Sequence, residues 1–193
     1  MILEHLKLVN KNRAIVVHGL QSRNVVDYLQ RYDTIYPGSF NPPHLAHFAM
    51  AQGCLPELTI NHMFKGSIPY DDLAHRITMM NLMGLPVLVT DAQSFRDKWD
   101  IINSYVQKQW KYRVSDDALA DCVSDSTLYN SNFLFQVSIR SKHHPAVLPA
   151  NVDIEYIDIE RPIAFSSEIR NRLNDKLLNP IVAAYIRKHG LYD

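Results

Sequence analysis

The chain has 193 residues, 47% hydrophobic and 21% charged, with 20 Lys plus Arg balancing 20 Asp plus Glu. That is the composition of one ordinary globular domain with a sizeable core, not of a disordered chain, and the balanced charge excludes a global basic field, so nucleic acid is not an expected partner. No apolar run approaches the ~20 residues of a membrane-spanning helix, the charged start MILEHLKLVNKNR does not read as a signal peptide, and two cysteines (Cys54 and Cys122) make no disulfide framework, so a reduced, cytoplasmic setting without a membrane partner is expected.

In chain order, residues 14–18 (AIVVH) form a short β-branched run and predict a strand. Residues 22–31 place Val25, Val26 and Leu29 at helical spacing, with Ser22 as the expected cap. Residues 33–36 predict a strand, residues 47–54 a helix closing near Gly53, and residues 57–61 a second core strand. Leu73, Ile77 and Met80 give residues 70–83 one apolar face. Residues 86–90 (PVLVT) are apolar throughout, as a strand covered on both sides would be. A helix over 95–109 follows, then strands over 111–114 and 133–139, an expected edge strand over 152–159, and helices over 167–178 and 180–188. Strands alternating with helices predict an α/β fold with a mostly parallel sheet and C-terminal helices, whose ligands sit beyond the carboxyl ends of the strands. Residues 1–32 are either an added strand and helix on that sheet or a loose lead, and 33–193 form the main domain.

One stretch does not fit a plain turn. Residues 35–47 read IYPGSFNPPHLAH, a strand breaking into a Gly/Pro loop that presents two histidines three residues apart. Gly38 would let a ligand approach the backbone closely. Ser39 and Phe40 offer backbone N–H groups, Asn41 adds a side-chain amide, and Pro42 or Pro43 suits the first helical position. A helix N-terminus there would favour phosphate. His44 and His47 would share a helix face, two imidazoles able to donate to one phosphate. Taken alone, the pair is equally compatible with satisfied surface groups. A metal site completed by His143 and His144 is a further reading, but the cysteines lack ligand spacing and no carboxylate sits in register.

Residues 165–173 read FSSEIRNRL. Ser166 is the expected cap, with Ser167 and Glu168 in the first turn. Arg170 opposes the helix dipole there, a conflict that an anion would relieve, so Ser166, Ser167 and Arg170 could together grip a polyphosphate.

GSFNPPHLAH resembles the Gly-x-Phe-[Asp/Asn]-Pro-x-His-x-Gly-His signature of the nucleotidyltransferase superfamily, with Ala46 where the signature usually has Gly, and SSEIRNRL resembles its Ser-[Ser/Thr]-x-x-Arg partner. The ending VAAYIRKHGLYD is similar to the tail of nicotinamide- and nicotinate-nucleotide adenylyltransferases. The resemblance covers residues 33–193 and implies a Rossmann-like nucleotidyltransferase fold. It implies transfer of the adenylyl group of ATP to nicotinamide or nicotinate mononucleotide, releasing pyrophosphate, with Mg²⁺ carried on the ATP phosphates and no metal held by protein side chains. It gives His44 and His47 the catalytic contacts to the ATP phosphates, Gly38, Ser39, Phe40 and Asn41 the phosphate-binding loop, and Ser166, Ser167 and Arg170 the β- and γ-phosphates. Lys65 would meet the phosphate of the mononucleotide, Trp99 in FRDKWDII would stack on the pyridine or pack in the core, and Asp117 in RVSDDAL would match a family aspartate, although Ser115-Asp116 replaces the usual Gly-Ala. Two other functions stay open: nucleotidylyl transfer to another acceptor (phosphopantetheine, or a cytidylyl reaction), and a nucleotide-binding sensor without turnover. The sequence does not choose between the amide and acid pyridine substrates and sets no oligomeric state.

Overall fold

The computed structural model describes residues 2–62, 66–116, 118–119, 133–139, 152–172 and 175–192. Its strands are β1 (Ala14–His18), β2 (Gln21–Arg23), β3 (Thr34–Pro37), β4 (Leu55–Thr59), β5 (Asn61–His62), β6 (Gly66–Ser67), β7 (Val87–Thr90), β8 (Lys111–Ser115), β9 (Phe133–Ser138) and β10 (Val152–Ile157). Its helices are α1 (Ile2–Asn12), α2 (Val25–Arg31), α3 (Leu45–Met50), α4 (Tyr70–Leu82), α5 (Phe95–Tyr105), α6 (Ser166–Arg172) and α7 (Pro180–His189), with a 3₁₀ turn at Asp175–Leu177.

One sheet of eight strands runs in the order β10-β9-β8-β3-β4-β7-β1-β2. The six strands from β10 to β7 are all parallel, while β1 joins β7 and β2 joins β1 antiparallel. The chain begins its parallel set at β3 in the middle and builds outward both ways, the arrangement of a doubly wound α/β fold. Residues 14–23 therefore extend this same sheet.

Both faces of the sheet are covered, and alternate residues supply two cores. Ile15, Val17, Val87 and Val89 pack with Leu6, Leu73, Ile77 and Ile186 under α1, α4 and α7. Val16, Ile35, Leu55 and Leu88 pack with Leu29, Ile101 and Ile102 under α2 and α5. A strand covered on both sides carries no polar alternation, which is why β1 and β7 read as continuous apolar runs. β10 lies at the sheet edge, as its broken alternation predicts.

Several element boundaries differ from the sequence-based expectation, each for a local reason. Residues 21–23 form β2 rather than the start of a helix, because Gly19 and Leu20 both take positive φ (62° and 61°) and close a two-residue hairpin. The Leu20 N–H donates to Asn81 Oδ1 at 2.8 Å, which anchors a turn that leucine does not advertise. Asn24, not Ser22, then caps α2 by accepting from Val26 N at 2.9 Å. Helix α3 begins at Leu45, so Pro42 and Pro43 both lie in the loop before it, and the Asn41–Pro42 peptide is cis. Helix α5 ends at Tyr105 because Val106 is extended. The expected helix over 167–178 is instead α6 followed by the 3₁₀ turn at Asp175–Leu177.

Candidate active site

A cleft of about 700 Å³ runs over the carboxyl ends of β3, β4, β7 and β8, where Pro37, Thr59, Ala92 and Ser115 line it. It lies at the point where strand order reverses, since β8 and β4 flank β3 on opposite sides.

The loop after β3 forms its centre. Gly38 N–H still donates to Glu57 O at 3.0 Å, holding the loop's first residue to β4. Phe40 then takes φ 45° and buries its ring completely. A Cβ on Gly38 would stand 2.7 Å from that ring. Glycine is thus required here by the neighbouring aromatic ring, a structural demand at a residue that also lines the cleft.

His44 caps α3 with its own side chain. Its Nδ1 accepts the His47 N–H at 3.4 Å, while His47 Nδ1 accepts the His44 N–H at 3.3 Å. This is a capping box built from two imidazoles. The rings stack with centroids 3.7 Å apart and 20° between planes, and the His47 ring meets Phe40 at 5.2 Å. A ring nitrogen that accepts carries no proton, so each imidazole keeps its proton on Nε2. Both rings line the cleft.

The second motif reaches the same loop. The Ile169 N–H donates to Phe165 O at 3.1 Å, which makes Phe165 the backbone cap and Ser166 the first helical residue of α6. Ser166 does not cap its own helix; its hydroxyl donates to Pro42 O at 3.1 Å. Arg170 Nη1 donates to Asn41 O at 2.5 Å, which leaves the rest of its five-donor guanidinium for a ligand. Ser167 lines the cleft beside them.

Two further residues, which no local motif marks, complete the clamp on this loop. Arg76 of α4 donates to Ser39 O at 3.2 Å, and the Tyr192 hydroxyl donates to Asn41 Oδ1 at 2.6 Å. With its oxygen so engaged, Asn41 is left with an amide donor. Burial pulls the Arg76 guanidinium below its ordinary value, with Arg170 acting in the same direction. Burial pushes the Tyr192 phenol up to about 12, against the pull of Arg76 and Arg170, so it stays a donor at neutral pH. Among the described residues neither arginine makes a salt bridge, so the loop is flanked by positive charge with room for an anion.

The opposite wall belongs to β4, β7 and α5. Lys98 Nζ lies 2.5 Å from Glu57 Oε2, with the two side chains 8% and 1% exposed. Thr90 Oγ1 donates to Glu57 Oε1 at 2.6 Å. Burial first, and then the Glu57 charge, holds the enclosed Tyr112 phenol well above its ordinary value. Both members of this pair carry a signal in the sequence: Glu57 interrupts an apolar strand, and Lys98 shares a helix face with Ile101 and Ile102.

The cleft therefore gathers Gly38, Ser39, Phe40, Asn41, His44 and His47 with Ser166, Ser167 and Arg170. Trp99 is not in its lining; its ring is partly buried and packs beside Tyr112, 6.4 Å between centroids, against the core under α5. Lys65, Asp117, Cys122, His143 and His144 lie outside the described residues. Cys54 is a free buried thiol that burial pushes up to about 11. Among the described residues no three His, Cys, Asp or Glu side chains gather to hold a metal ion, and no helix is long and apolar enough to cross a membrane.

No family model and no curated protein matches the chain. Solved structures do. Two structures of Plasmodium falciparum nicotinic acid mononucleotide adenylyltransferase, one complexed with APC (an ATP analogue) and one with NaAD, superpose with a TM-score of 0.60 at 18% identity, covering 83% of this chain and 96% of theirs. The chain thus has the Rossmann-like fold of the nucleotidyltransferases.

Proposed function

We propose that the protein transfers the adenylyl group of ATP to a pyridine mononucleotide, forming the dinucleotide and pyrophosphate. One observation carries this reading: Ser166 and Arg170 hydrogen-bond the loop carbonyls of Pro42 and Asn41 across 124 and 129 residues of sequence, which brings the serine–arginine turn to the histidine pair. The fold shared with adenylyltransferases supports it.

The reaction needs no strong base, because the attacking group is a phosphate that is already ionised. What it needs is alignment and stabilisation of charge on the α-phosphate. The Nε2–H groups of His44 and His47 donate to α-phosphate oxygens as charge develops on them, and each such donor is worth about 2.7–4 kcal/mol of barrier. Arg170 and Ser167, with Arg76 behind the loop, hold the pyrophosphate that leaves. The backbone N–H groups of Ser39 and Phe40 and the Asn41 amide bind the phosphates between these two groups. Mg²⁺ would ride on triphosphate oxygens, where it would supply charge neutralisation. A reduced, cytoplasmic setting fits the free thiol of Cys54.

The test is incubation with ATP, Mg²⁺ and each pyridine mononucleotide, followed by measurement of dinucleotide and pyrophosphate. Equimolar appearance of both is expected. Pyrophosphate release only with CTP, or only with phosphopantetheine as acceptor, would replace this reading with one of a related transferase; tight nucleotide binding without release in any combination would make the protein a sensor.

A further inference from the structure

The two walls of the cleft lie on opposite faces of the sheet. Ile169 places α6 in the core with α4 and α7, whereas Ile101 and Ile102 place α5 in the other core. Glu57 falls on the α5 side, since its neighbour Leu58 packs under α4 and Leu55, two residues back, packs under α5. In-line transfer requires the attacking oxygen to approach the α-phosphate from the side away from the departing pyrophosphate. If Arg170 and Ser167 hold the pyrophosphate, the acceptor comes from the Glu57–Lys98 wall.

That wall carries a buried ion pair that packing does not call for. Two charges taken from water into an enclosed wall gain little over apolar residues of the same shape, so the pair is a poor device for stability. Its donors are also only partly used. Among the described residues, the Lys98 ammonium has Glu57 as its hydrogen-bond partner and the Phe95 ring 5.2 Å away as its other contact. Each Glu57 oxygen receives one hydrogen bond, from Lys98 and from Thr90, where a carboxylate oxygen has room for two. The wall therefore presents a spare donor beside a spare acceptor, with no net charge.

We infer that Glu57 and Lys98 read the head group of the acceptor and select a neutral carboxamide over a carboxylate. This rests on the adenylyl-transfer reading above. The carboxamide oxygen accepts from Lys98 while its NH₂ donates to Glu57, and the wall stays neutral. A carboxylate would take the Lys98 donor and give Glu57 nothing, leaving a net negative charge beside a buried carboxylate. Like charges so placed are strongly disfavoured. Nicotinamide mononucleotide is the acceptor this arrangement takes, in contrast to the nicotinic acid mononucleotide named for the neighbouring structures.

The test is the ratio of kcat/KM for nicotinamide over nicotinate mononucleotide, read alongside binding of each mononucleotide by titration calorimetry with the non-reacting ATP analogue present. The wild type should favour the amide by about tenfold or more in both. The triple variant Glu57→Leu/Lys98→Met/Thr90→Val removes every partner together, keeps an apolar wall, and should bring the ratio to about one. Glu57→Gln should raise affinity for the acid relative to the amide. A wild-type preference for the acid, or an unchanged ratio in the triple variant, overturns the inference while leaving adenylyl transfer standing. Transfer to neither mononucleotide overturns the reaction instead, and the calorimetric preference still decides the inference.

Discussion

The two walls of the cleft solve the problem of polar groups at a binding site in opposite ways. On the loop wall, side chains point their donors at backbone carbonyls: Arg76 at Ser39, Ser166 at Pro42, Arg170 at Asn41. The two imidazoles there are locked by one another, and the clamp fixes the loop that carries them. On the α5 wall, Glu57 and Lys98 are fixed chiefly by each other. Under the proposed reaction, the first arrangement suits a triphosphate, while the second suits a head group that must be told apart from a near twin.

The sharpest way to break this contrast is on stability. Lys98→Met strands Glu57 in a buried site and should cost about 3–5 kcal/mol in denaturant unfolding, whereas the triple variant without any of the three polar partners should recover most of that loss. An equal loss in both would show that the pair is structural packing and not a retained polar device. On the loop wall, His47→Ala should lower kcat by about 10²–10³ while leaving the circular dichroism spectrum native. The lost capping bond should cost about 1 kcal/mol, a drop in Tm of about 2–4 °C. Near-normal turnover would remove the imidazole from the chemistry.

Tyr192→Phe is a milder test of the clamp. It frees Asn41 Oδ1 and should raise KM for ATP by about fivefold, the worth of one hydrogen bond, with a smaller effect on kcat. It also carries a pH signature. The folded-state phenol titrates near 12 and an unfolded tyrosine near 10. Folding therefore favours the protonated form. That contribution is intact below pH 10 and is lost as pH rises from about 10 to 12. The variant should lack this part of the alkaline loss of stability, and identical alkaline unfolding of the two proteins would contradict the burial of the phenol. The smallest effect belongs to Trp99→Phe. Its ring lies in the core and not in the cleft, so KM for either mononucleotide should change by less than about twofold, and a large change in acceptor KM would return Trp99 to the site.

The same contrast governs what could be read in the sequence. The loop wall is written in two contiguous stretches, residues 35–47 and 165–173, because backbone donors and a helix turn need neighbours in sequence. Strand and helix order was legible for the same reason: β7 and α4 carry their burial pattern locally. The remainder depends on tertiary partners. Arg76 and Tyr192 matter through carbonyl and amide oxygens of a loop far along the chain. Glu57 and Lys98 lie 41 residues apart, and each looks like an isolated charge until β4 and α5 are packed together. The hairpin at Gly19–Leu20 rests on Asn81, 61 residues from Leu20, so Gly19 is its one local signal and Leu20 conceals the rest.

The central claim is that both motifs grip one triphosphate. A crystal structure with an ATP analogue whose α–β bridge cannot be cleaved tests it directly. The expected complex has the α-phosphate against the imidazoles of His44 and His47, and the β- and γ-phosphates against Ser167 and Arg170. A triphosphate bound away from the 38–47 loop, or one that touches the histidines while Arg170 and Ser167 face solvent, would contradict it.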